Sequence, residues 1–494
     1  MPYRRIYEIN TRVWLAELVA AQTIPEATLA AIPESYIDLW RRWQIDAVWL
    51  MGVWEPSLYS ARVVRDNTAS VVSLQPALDD FTLDDCLSSP YAVRNYTVSE
   101  QLGGLEGLLR LRARLHQAGL GLILDFVPNH TACDHPWVHE HPQYYVQGSM
   151  SEATRAPGDY FPVQTAQGLR YIAHGKDPYF PSWCDTAQLN YSNLELHDAM
   201  QDQLLRLAEW CDGVRCDMAM LCLSDIFSRT WSRLDLPVPP REFWHEALQV
   251  VRARFPDFCC IAEVYWGLQG RLQQLGFQLT YDKEFYDALL ARDIDRLGAS
   301  ICTPHAPLEA NVRFLENHDE TRAAACFSDH QQEAAMLTIA TLPGAILLHE
   351  GQTEGYRVRT PVQLRRRRQE PGNQRLQRFY ERFLSLPDIR QGHFVVLHAC
   401  PVHAEDDTYK ALLAWAWAWA HETQCWLVVI NYAERMSQGL LNLAVLPLPS
   451  GVVRFRDHLH DSTYEHSCET VQGPGLPVVL PPFGTHLLEV TPHI

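Results

Sequence analysis

The sequence has few basic residues for its size. Lys and Arg total 41 against 59 Asp and Glu, a formal net charge of −18 over 494 residues. Such a chain repels phosphate backbones and anionic lipid, so we expect neither nucleic acid nor a membrane surface as a partner. Long apolar runs are also missing, because the longest, residues 411–420 (ALLAWAWAWA), is about half a membrane span. We therefore expect no segment that crosses a bilayer.

The sequence also lacks a secretory signal and a metal-type cysteine pattern. No apolar stretch follows the opening MPYRRIYEIN, so we expect a cytoplasmic protein. The 13 cysteines show no C-x-x-C spacing, which favours reduced thiols over disulfides or a zinc site. Cys259 and Cys260 are adjacent within an apolar run, and we predict that they pack in the core.

Short apolar runs alternate with amphipathic segments from residue 6 to about 350, a pattern typical of repeated βα units. Eight such units indicate a (β/α)8 TIM barrel. The predicted strands are Ile6–Val13, Ala47–Met51, Gly121–Phe126, Gly213–Asp217, Cys260–Val264, Phe277–Tyr281, Asn311–Leu315 and Ala345–His349.

Two further parts accompany the predicted barrel, which we assign to residues 1–130 and 192–390. The interval after the third strand is far longer than an ordinary βα loop, so residues 131–191 are predicted to form an inserted subdomain over the C-terminal face. Residues 391–494 alternate with period two and are predicted to form a C-terminal antiparallel β-sandwich domain. Within it we predict a hairpin of strands 411–420 and 425–431 joined by a turn at 421–423.

Polar residues close four of the predicted barrel strands. LILDFVPNH brings Asp125, DGVRCDM brings Asp217, CCIAEVYW brings Glu263 and VRFLENHDE brings Glu316 to Asp319. In this fold chemistry takes place where the strands end, so these carboxylates can converge on one cleft. Glycosidic bond cleavage needs one carboxylic acid to protonate the leaving oxygen and one carboxylate to attack or shield the anomeric carbon. Some of the four could instead be ion pairs at the barrel rim.

At these residues the sequence resembles the α-amylase superfamily, glycoside hydrolase family 13, over nearly its whole length. The four strand-end motifs of that family are matched in order by DFVPNH, GVRCD, AEVYW and ENHD. A motif of the family's inserted subdomain resembles DTAQLNY (Asp185–Tyr191), and SPYAVRNY (Ser89–Tyr96) is similar to the family's loop after the second strand.

The resemblance implies a role for each matched residue. Asp217 would be the nucleophile that forms a β-glycosyl-enzyme, Glu263 the general acid and base, and Asp319 the residue that stabilises the transition state. The remaining residues would bind substrate or orient the catalytic groups. Arg215 would keep Asp217 ionised, Asp125 would orient Arg215, His130 and His318 would donate hydrogen bonds to sugar hydroxyls, and Tyr91 would stack on the sugar ring.

The sequence departs from the family pattern after the nucleophile. Many α-amylases carry Lys and His three and four positions beyond it, for an outer subsite and for calcium, whereas this chain has Met220 and Leu221. Asn129 matches a family calcium ligand by position but lacks this companion. We therefore expect no required metal and no other cofactor.

Other motifs can be explained by ordinary packing or solvent exposure as well as by a binding role. Trp54 and Trp266 could line outer subsites or could equally be packing. The alternating Trp415, Trp417 and Trp419 are predicted to be a buried face of the β domain rather than a starch-binding surface. The arginine run Arg365–Arg368 is predicted to be a solvated loop rather than a phosphate site.

The predicted function is a retaining enzyme that cleaves α-glucosidic bonds of short, maltooligosaccharide-like substrates. Alternatives within the family are a transglycosidase, an isomerase of the trehalose-synthase type or a sucrose-type phosphorylase. A remote alternative is a non-catalytic sugar-binding protein. Hydrolysis and transfer share every catalytic residue, so the sequence leaves them open, together with linkage, chain length and oligomeric state.

Overall fold

The computed structural model describes residues 3–304, 306–419, 425–448 and 450–492, and at its centre is a closed barrel of eight parallel strands. In chain order the strands are β1 Arg5–Asn10, β2 Ala47–Met51, β3 Gly121–Phe126, β4 Gly213–Cys216, β5 Cys259–Ala262, β6 Leu279–Tyr281, β7 Asn311–Phe314 and β8 Ala345–His349. Each strand pairs with its neighbours in sequence, and β1 pairs with β8 to close the barrel. The predicted barrel is confirmed.

Five predicted strands differ from the observed ones by one to three residues at their ends: the fourth and seventh end one residue earlier than expected, and the fifth spans Cys259–Ala262 instead of Cys260–Val264. The first was expected to reach Val13 but ends at Asn10, because the helix Thr11–Ala20 begins at the next residue. The sixth was expected to begin at Phe277 and begins at Leu279. The backbone N–H of Phe277 instead donates to the carbonyl of Leu272 at 3.1 Å and so closes the end of the preceding helix.

Helices surround the barrel and bury one side against it. Inside the barrel, side chains such as Ile6, Ile123 and Ile261 form a separate apolar cluster. The surrounding helices are Thr11–Ala20, Glu34–Arg42, Leu58–Asp66, Thr68–Leu74, Gly104–Gln117, Leu194–Trp210, Ser224–Thr230, Phe243–Arg254, Gln269–Leu275, Lys283–Ala291, Ile294–Cys302, Ala323–Cys326, Asp329–Thr341 and Gln374–Ser385.

A small subdomain lies between β3 and the helix Leu194–Trp210. It has two antiparallel sheets, one of two strands and one of three. The first contains His130–Ala132 and Thr186–Gln188, and the second contains Gln147–Gly148, Tyr160–Thr165 and Gly168–Ala173. The short helices Trp137–Glu140 and Met150–Arg155 complete it. A further pair, Trp54–Pro56 with Val93–Val98, follows β2 and precedes β3.

Two antiparallel sheets follow the barrel, as predicted. The larger has the strand order His393–Leu397, Leu412–Ala418, Cys425–Asn431, Thr485–Pro492, Val452–Asp457 and Ser462–Ser467. The smaller contains Ala399–Cys400, Ser437–Leu441 and Leu476–Leu480. The predicted hairpin is confirmed by the pairing of Ala418 with Cys425, while the turn predicted at 421–423 lies outside the described residues.

The tryptophan stripe lies between the barrel and these sheets. Trp415 and Trp417 are buried, and their indole Nε1 atoms donate to the hydroxyl and the carbonyl of Thr341 at 3.1 and 2.7 Å. Trp419 is half-buried. The predicted buried face is therefore confirmed, and its partner is the barrel helix Asp329–Thr341.

The arginine run Arg365–Arg368 lies in a loop, as predicted, and of its side chains only that of Arg367 is buried. Each of its four arginines pairs with acids from other segments. The pairs are Arg365 with Asp85, Arg366 with Asp80 and Asp85, Arg367 with Glu17 and Glu350, and Arg368 with Asp79. The run thus ties the segment after β8 to the segment after β2.

All 13 cysteines lie in the described ranges and are free thiols. Cys259 and Cys260 are buried within β5, as predicted. Among the described residues, none of the helices has both the length and the apolar character needed to span a bilayer.

Candidate active site

The alternation of side chains along the barrel strands directs a set of charged groups inward. Side chains two apart on a strand share a face, so Asp125 follows the inward Ile123, and Glu263 follows the inward Ile261. Arg215 on β4 and Asp217 just beyond its end stand in the same relation. Because β4 pairs in parallel with β3 and β5, with Arg215 beside both Asp125 and Ile261, these groups emerge at one level of the barrel.

Arg215 joins the two candidate catalytic carboxylates. Its side chain is only 1% exposed, and its Nη1 lies 2.7 Å from Asp217 Oδ1 while its Nη2 lies 2.8 Å from Glu263 Oε2. The guanidinium also packs against the ring of Tyr91, with its central carbon 5.1 Å from the ring centroid. A charged, fork-shaped group held this way fixes the positions of both carboxylates.

Asp217 is buried just beyond the end of β4. The pKa of this carboxyl is raised above its usual value, because burial raises it by more than the ion pair and hydrogen bond with Arg215 lower it. The backbone N–H of Asp217 donates to the carbonyl of Phe126 at 2.8 Å, which anchors the residue to the end of β3. Arg215 thus counteracts the protonation that burial alone would favour.

Glu263 is also buried, and its surroundings also favour the protonated form. Burial raises the pKa of Glu263, Arg215 lowers it, and the negative charges of Asp217 and Asp319 raise it again. Its oxygens accept hydrogen bonds from the Tyr265 hydroxyl at 2.7 Å and from the Met218 backbone N–H at 2.6 Å. A carboxyl with a raised pKa beside an ionised carboxylate suits a proton donor.

Asp319 and His318 form the opposite wall of the site. The Asp319 side chain is 47% exposed, and one of its oxygens lies 2.9 Å from His318 Nε2. Burial among these groups acts to raise the pKa of Asp319, but His318 and Arg215 bring it below its usual range. Asp319 is therefore an ionised carboxylate that solvent or substrate can reach.

Tyr91 and His318 contact each other directly. The Tyr91 hydroxyl lies 2.8 Å from His318 Nε2, and the two rings are stacked at 5.2 Å with an angle of 24°. Behind them, His318 Nδ1 binds Glu8 on β1. The expected hydroxyl donor and the expected stacking ring are thus linked to each other and to the barrel interior.

His130 reaches the same site from the inserted subdomain. It is buried, its ring lies 5.2 Å from that of Trp183, and it hydrogen-bonds with the backbone of Tyr91. Burial lowers the pKa of His130 to about 4, so the ring is neutral near neutral pH. The structure therefore brings all seven predicted site residues together through direct contacts.

Asp125 lies behind the site rather than in it. Its Oδ1 is 4.0 Å from Arg215 Nη1, and its oxygens accept hydrogen bonds from Trp49 Nε1 at 3.2 Å and Gly52 N–H at 3.3 Å. Burial raises its pKa to about 7, against the lowering effect of Arg215. This placement fits a group that orients Arg215 and does not contact a substrate.

Two functional neighbours were missed at the sequence level. Glu8 is fully buried on β1 and binds His318, and Tyr265 donates to Glu263. The signal for Glu8 was a lone acid in the otherwise apolar strand RIYEIN. Tyr265 follows Glu263 by two positions, which places it next to the carboxylate once the strand has ended.

Two residues that follow β7, Glu316 and Asn317, stabilise the rim of the barrel and are not part of the site itself. Glu316 is buried and pairs with Arg322 and His349. The side-chain oxygen of Asn317 accepts the backbone N–H groups of Asp319 and Glu320, both at 2.9 Å, and so shapes the loop that presents Asp319.

The two tryptophans that sequence could not assign have different environments. Trp54 is buried, and its Nε1 donates to the carbonyl of Asp125 at 2.9 Å, so it belongs to the packing. Trp266 is 38% exposed and makes an edge contact with Tyr179 at 5.0 Å. Only Trp266 is open to a ligand.

The residues at the family's calcium position fit that ion poorly. Leu221, at the position of the family's calcium-binding His, is a buried apolar side chain, and so is Met220 at the position of the outer-subsite Lys. The Asn129 side-chain oxygen already accepts a hydrogen bond from the Gln188 amide at 3.0 Å. Calcium takes six to eight oxygen ligands, and this arrangement offers no such cage.

Comparison with known proteins gives one family. A model of the alpha-amylase catalytic domain matches residues 41–382. Among curated proteins, Alpha-amylase MalA of Haloarcula japonica is 25% identical over 297 residues, 57% of this chain and 40% of that protein. The alpha-1,4-glucan:maltose-1-phosphate maltosyltransferase of Burkholderia pseudomallei is 28% identical over 289 residues, 53% of this chain and 21% of that protein. The chain thus spans under half the length of these relatives.

Solved structures agree on the fold. The maltogenic alpha-amylase AmyB from Thermotoga neapolitana superposes with a TM-score of 0.67 at 18% identity and covers 100% of both chains. An alpha-amylase from Lactobacillus plantarum gives a TM-score of 0.64 at 20% identity, covering 99% of this chain and 98% of that one. At these identities the similarity establishes the architecture only.

Proposed function

The chain belongs to the alpha-amylase family, and on that premise we propose that it is a retaining enzyme acting on α-glucosidic bonds of short, maltooligosaccharide-like substrates. The observation that carries the proposal is the ion pairing of Arg215 with both Asp217 and Glu263. A single buried cation that holds two carboxylates together gives the pair that a double-displacement mechanism needs.

In the proposed mechanism Asp217 attacks the anomeric carbon while Glu263 donates its proton to the leaving oxygen. The resulting glycosyl ester on Asp217 is then attacked by an acceptor hydroxyl, from which Glu263 removes the proton. Asp319, ionised and accessible, stabilises the positive charge that develops on the sugar.

The remaining residues position the substrate and the catalytic groups. Arg215 keeps Asp217 ionised. His130 donates to a sugar hydroxyl, and Tyr91 stacks on the ring. When the sugar binds, the Nε2–H of His318, which faces Asp319 in the free site, donates to a sugar hydroxyl instead. The contact between Tyr91 and His318 means that the two act on the sugar as one fixed surface.

A leaving group of more than one sugar would fit two adjacent cavities next to Met218 and Tyr265, which both hydrogen-bond to Glu263. A cavity of ≈ 460 Å³ is lined by Met218, Tyr265 and Trp266, and it shares Asp177 and Phe180 with a second cavity of ≈ 920 Å³. Exposed aromatic rings at this junction, Tyr179 and Phe180 among them, offer stacking faces for sugars.

We favour hydrolysis, with transfer to a second sugar as the second candidate. Transfer is supported by the same aromatic-lined space, which could hold an acceptor sugar after the first product leaves. A maltosyltransferase among the relatives is consistent with either outcome on this fold. We further propose that no metal is required and that the free thiols reflect a reducing, cytoplasmic environment.

Product analysis tests the proposal. The protein is incubated with maltose, maltooligosaccharides, trehalose, sucrose and glycogen, and products are followed by NMR from the first minutes. A retaining hydrolase releases the α-anomer first, whereas transfer yields longer oligosaccharides and a phosphorylase requires phosphate. Release of the β-anomer first would contradict the double-displacement mechanism.

A further inference from the structure

The larger C-terminal sheet brings three side chains with metal-binding atoms to one point. Asp457 ends the strand Val452–Asp457, His460 lies in the turn that follows, and His486 lies on the neighbouring strand Thr485–Pro492. The Nδ1 atoms of His460 and His486 are 3.0 and 2.6 Å from the same oxygen, Asp457 Oδ2. All three ligand atoms lie within 4.8 Å of one another.

The carboxylate is already oriented for this role. Asp457 Oδ1 accepts the backbone N–H groups of Leu459 and His460 at 2.9 and 3.3 Å, which leaves Oδ2 to face the two imidazoles. Outer hydrogen bonds of this kind fix the direction of a metal ligand. The Asp457 side chain is fully buried, whereas that of His460 is 53% exposed. The cluster is therefore closed on the side of Asp457 and open to solvent on the side of His460.

We propose that Asp457, His460 and His486 bind a divalent zinc ion, with water as the fourth ligand. Two imidazole nitrogens and one carboxylate oxygen are ligands that zinc takes readily, whereas calcium and magnesium prefer oxygen alone. Binding requires a free lone pair on each Nδ1, so the proton that each ring shares with Asp457 moves to Nε2 or to solvent. Small outward shifts then bring the three atoms to zinc distances of about 2.0–2.2 Å.

A bound zinc ion would stabilise the contact between the C-terminal sheets and the barrel. Arg382 of the barrel helix Gln374–Ser385 donates to the carbonyl of His458 at 2.7 Å and pairs with Asp461, both in the turn that carries His460. The three ligands belong to the larger C-terminal sheet, whereas Asp217, Glu263 and Asp319 follow strands of the barrel. Zinc would therefore raise thermal stability without taking part in the reaction.

Titration of the metal-free, full-length chain with zinc chloride in a calorimeter tests the proposal. We expect one site per chain, weakened at least about tenfold in His460→Gln and in His486→Gln, because each removes one of three protein ligands. His466→Gln is the matched control, since His466 is half-buried on the strand Ser462–Ser467 and contacts Phe455 rather than Asp457. Equal zinc affinity in native protein and His460→Gln would overturn the proposal.

Cobalt substitution distinguishes this cluster from the free thiols. Cobalt bound by nitrogen and oxygen gives visible bands without the intense near-ultraviolet absorption of a thiolate complex, and that spectrum should disappear in His486→Gln. Zinc should raise the melting temperature of native protein and of His466→Gln but not that of His460→Gln. A thiolate spectrum, or no saturable binding at all, would show that the two histidines serve only as hydrogen-bond partners of Asp457.

Discussion

Glu8 binds the Nδ1 atom of His318 inside the barrel, although 310 positions separate the two residues. Burial lowers the pKa of His318, but the charges of Asp319 and Glu8 raise it well above its usual value. The ring is therefore protonated and donates from both nitrogens, to Glu8 on one side and towards Asp319 on the other. Glu8 thus acts on the active site without reaching the cleft.

Replacing Glu8 by Gln should change the pH dependence of the reaction. Loss of the negative charge lowers the pKa of His318, so the ring loses its proton as pH rises through a lower value than in native protein. We expect kcat to fall about tenfold to hundredfold and the alkaline limb of the kcat/KM profile to move to lower pH. Glu106→Gln, at an exposed ion pair with Arg110, is the control. An unmoved alkaline limb would contradict this role.

Variants of the two candidate catalytic carboxylates should differ in how much activity they lose on two kinds of substrate. Asp217→Asn should lose several orders of magnitude in kcat on every substrate, because no covalent intermediate forms. Glu263→Gln should lose as much on maltose but much less on α-glucosyl fluoride with added azide, since fluoride leaves without a proton and azide needs no base. Steady-state rates on both substrates check this. If Glu263→Gln lost the same factor in kcat on both substrates, Glu263 would not be the general acid.

Arg215→Lys should shift the acidic limb of activity. The guanidinium lowers the pKa of Asp217 against burial, and Lys cannot hold both carboxylates in the same way. The pKa of Asp217 should therefore rise, and activity should be lost at a higher pH as the solution is acidified. We expect kcat to fall by about 10²–10³-fold. The pH profile is measured on protein whose circular dichroism matches the native spectrum, and an unchanged acidic limb would be evidence against this pairing.

Calcium should have no effect on the reaction. Leu221 occupies the position of the family's calcium-binding His with an apolar side chain, and Asn129 is bound to Gln188. We expect kcat at 25 °C to stay the same after EDTA treatment and after addition of Ca²⁺. Loss of activity with EDTA that Ca²⁺ restores would overturn this expectation.

Trp415 should matter for stability more than for catalysis. Its indole is fully buried and bonded to Thr341, so Trp415→Ala should lower the free energy of unfolding by about 3–5 kcal/mol. Trp419→Ala, on the same stripe but half-buried, should cost less. Urea denaturation of both variants measures the difference. Similar losses in the two would show that the stripe is not an interface with the barrel.

Sequence predicted the barrel and the converging carboxylates because both depend on local patterns. An apolar run followed by an acid identifies a strand end, and parallel pairing brings successive strand ends to one face. The partner of His318 could not be found in this way, since Glu8 looks like any acid in a strand until β1 closes against β8. The ion-pair partners of the arginine run could not be found for the same reason, because Asp79 and Asp85, Glu17 and Glu350 come from three other segments.

The pairing of β1 with β8 also has a consequence for biosynthesis. Ile6 pairs with Leu347, so the first strand made has one open edge until about 340 further residues have been translated. At roughly 5–20 residues per second this takes on the order of 17 to 70 s. During that time the strand can pair only with β2, and the buried acid Glu8 has no imidazole to bind. Completion of the active site is therefore a late event in synthesis.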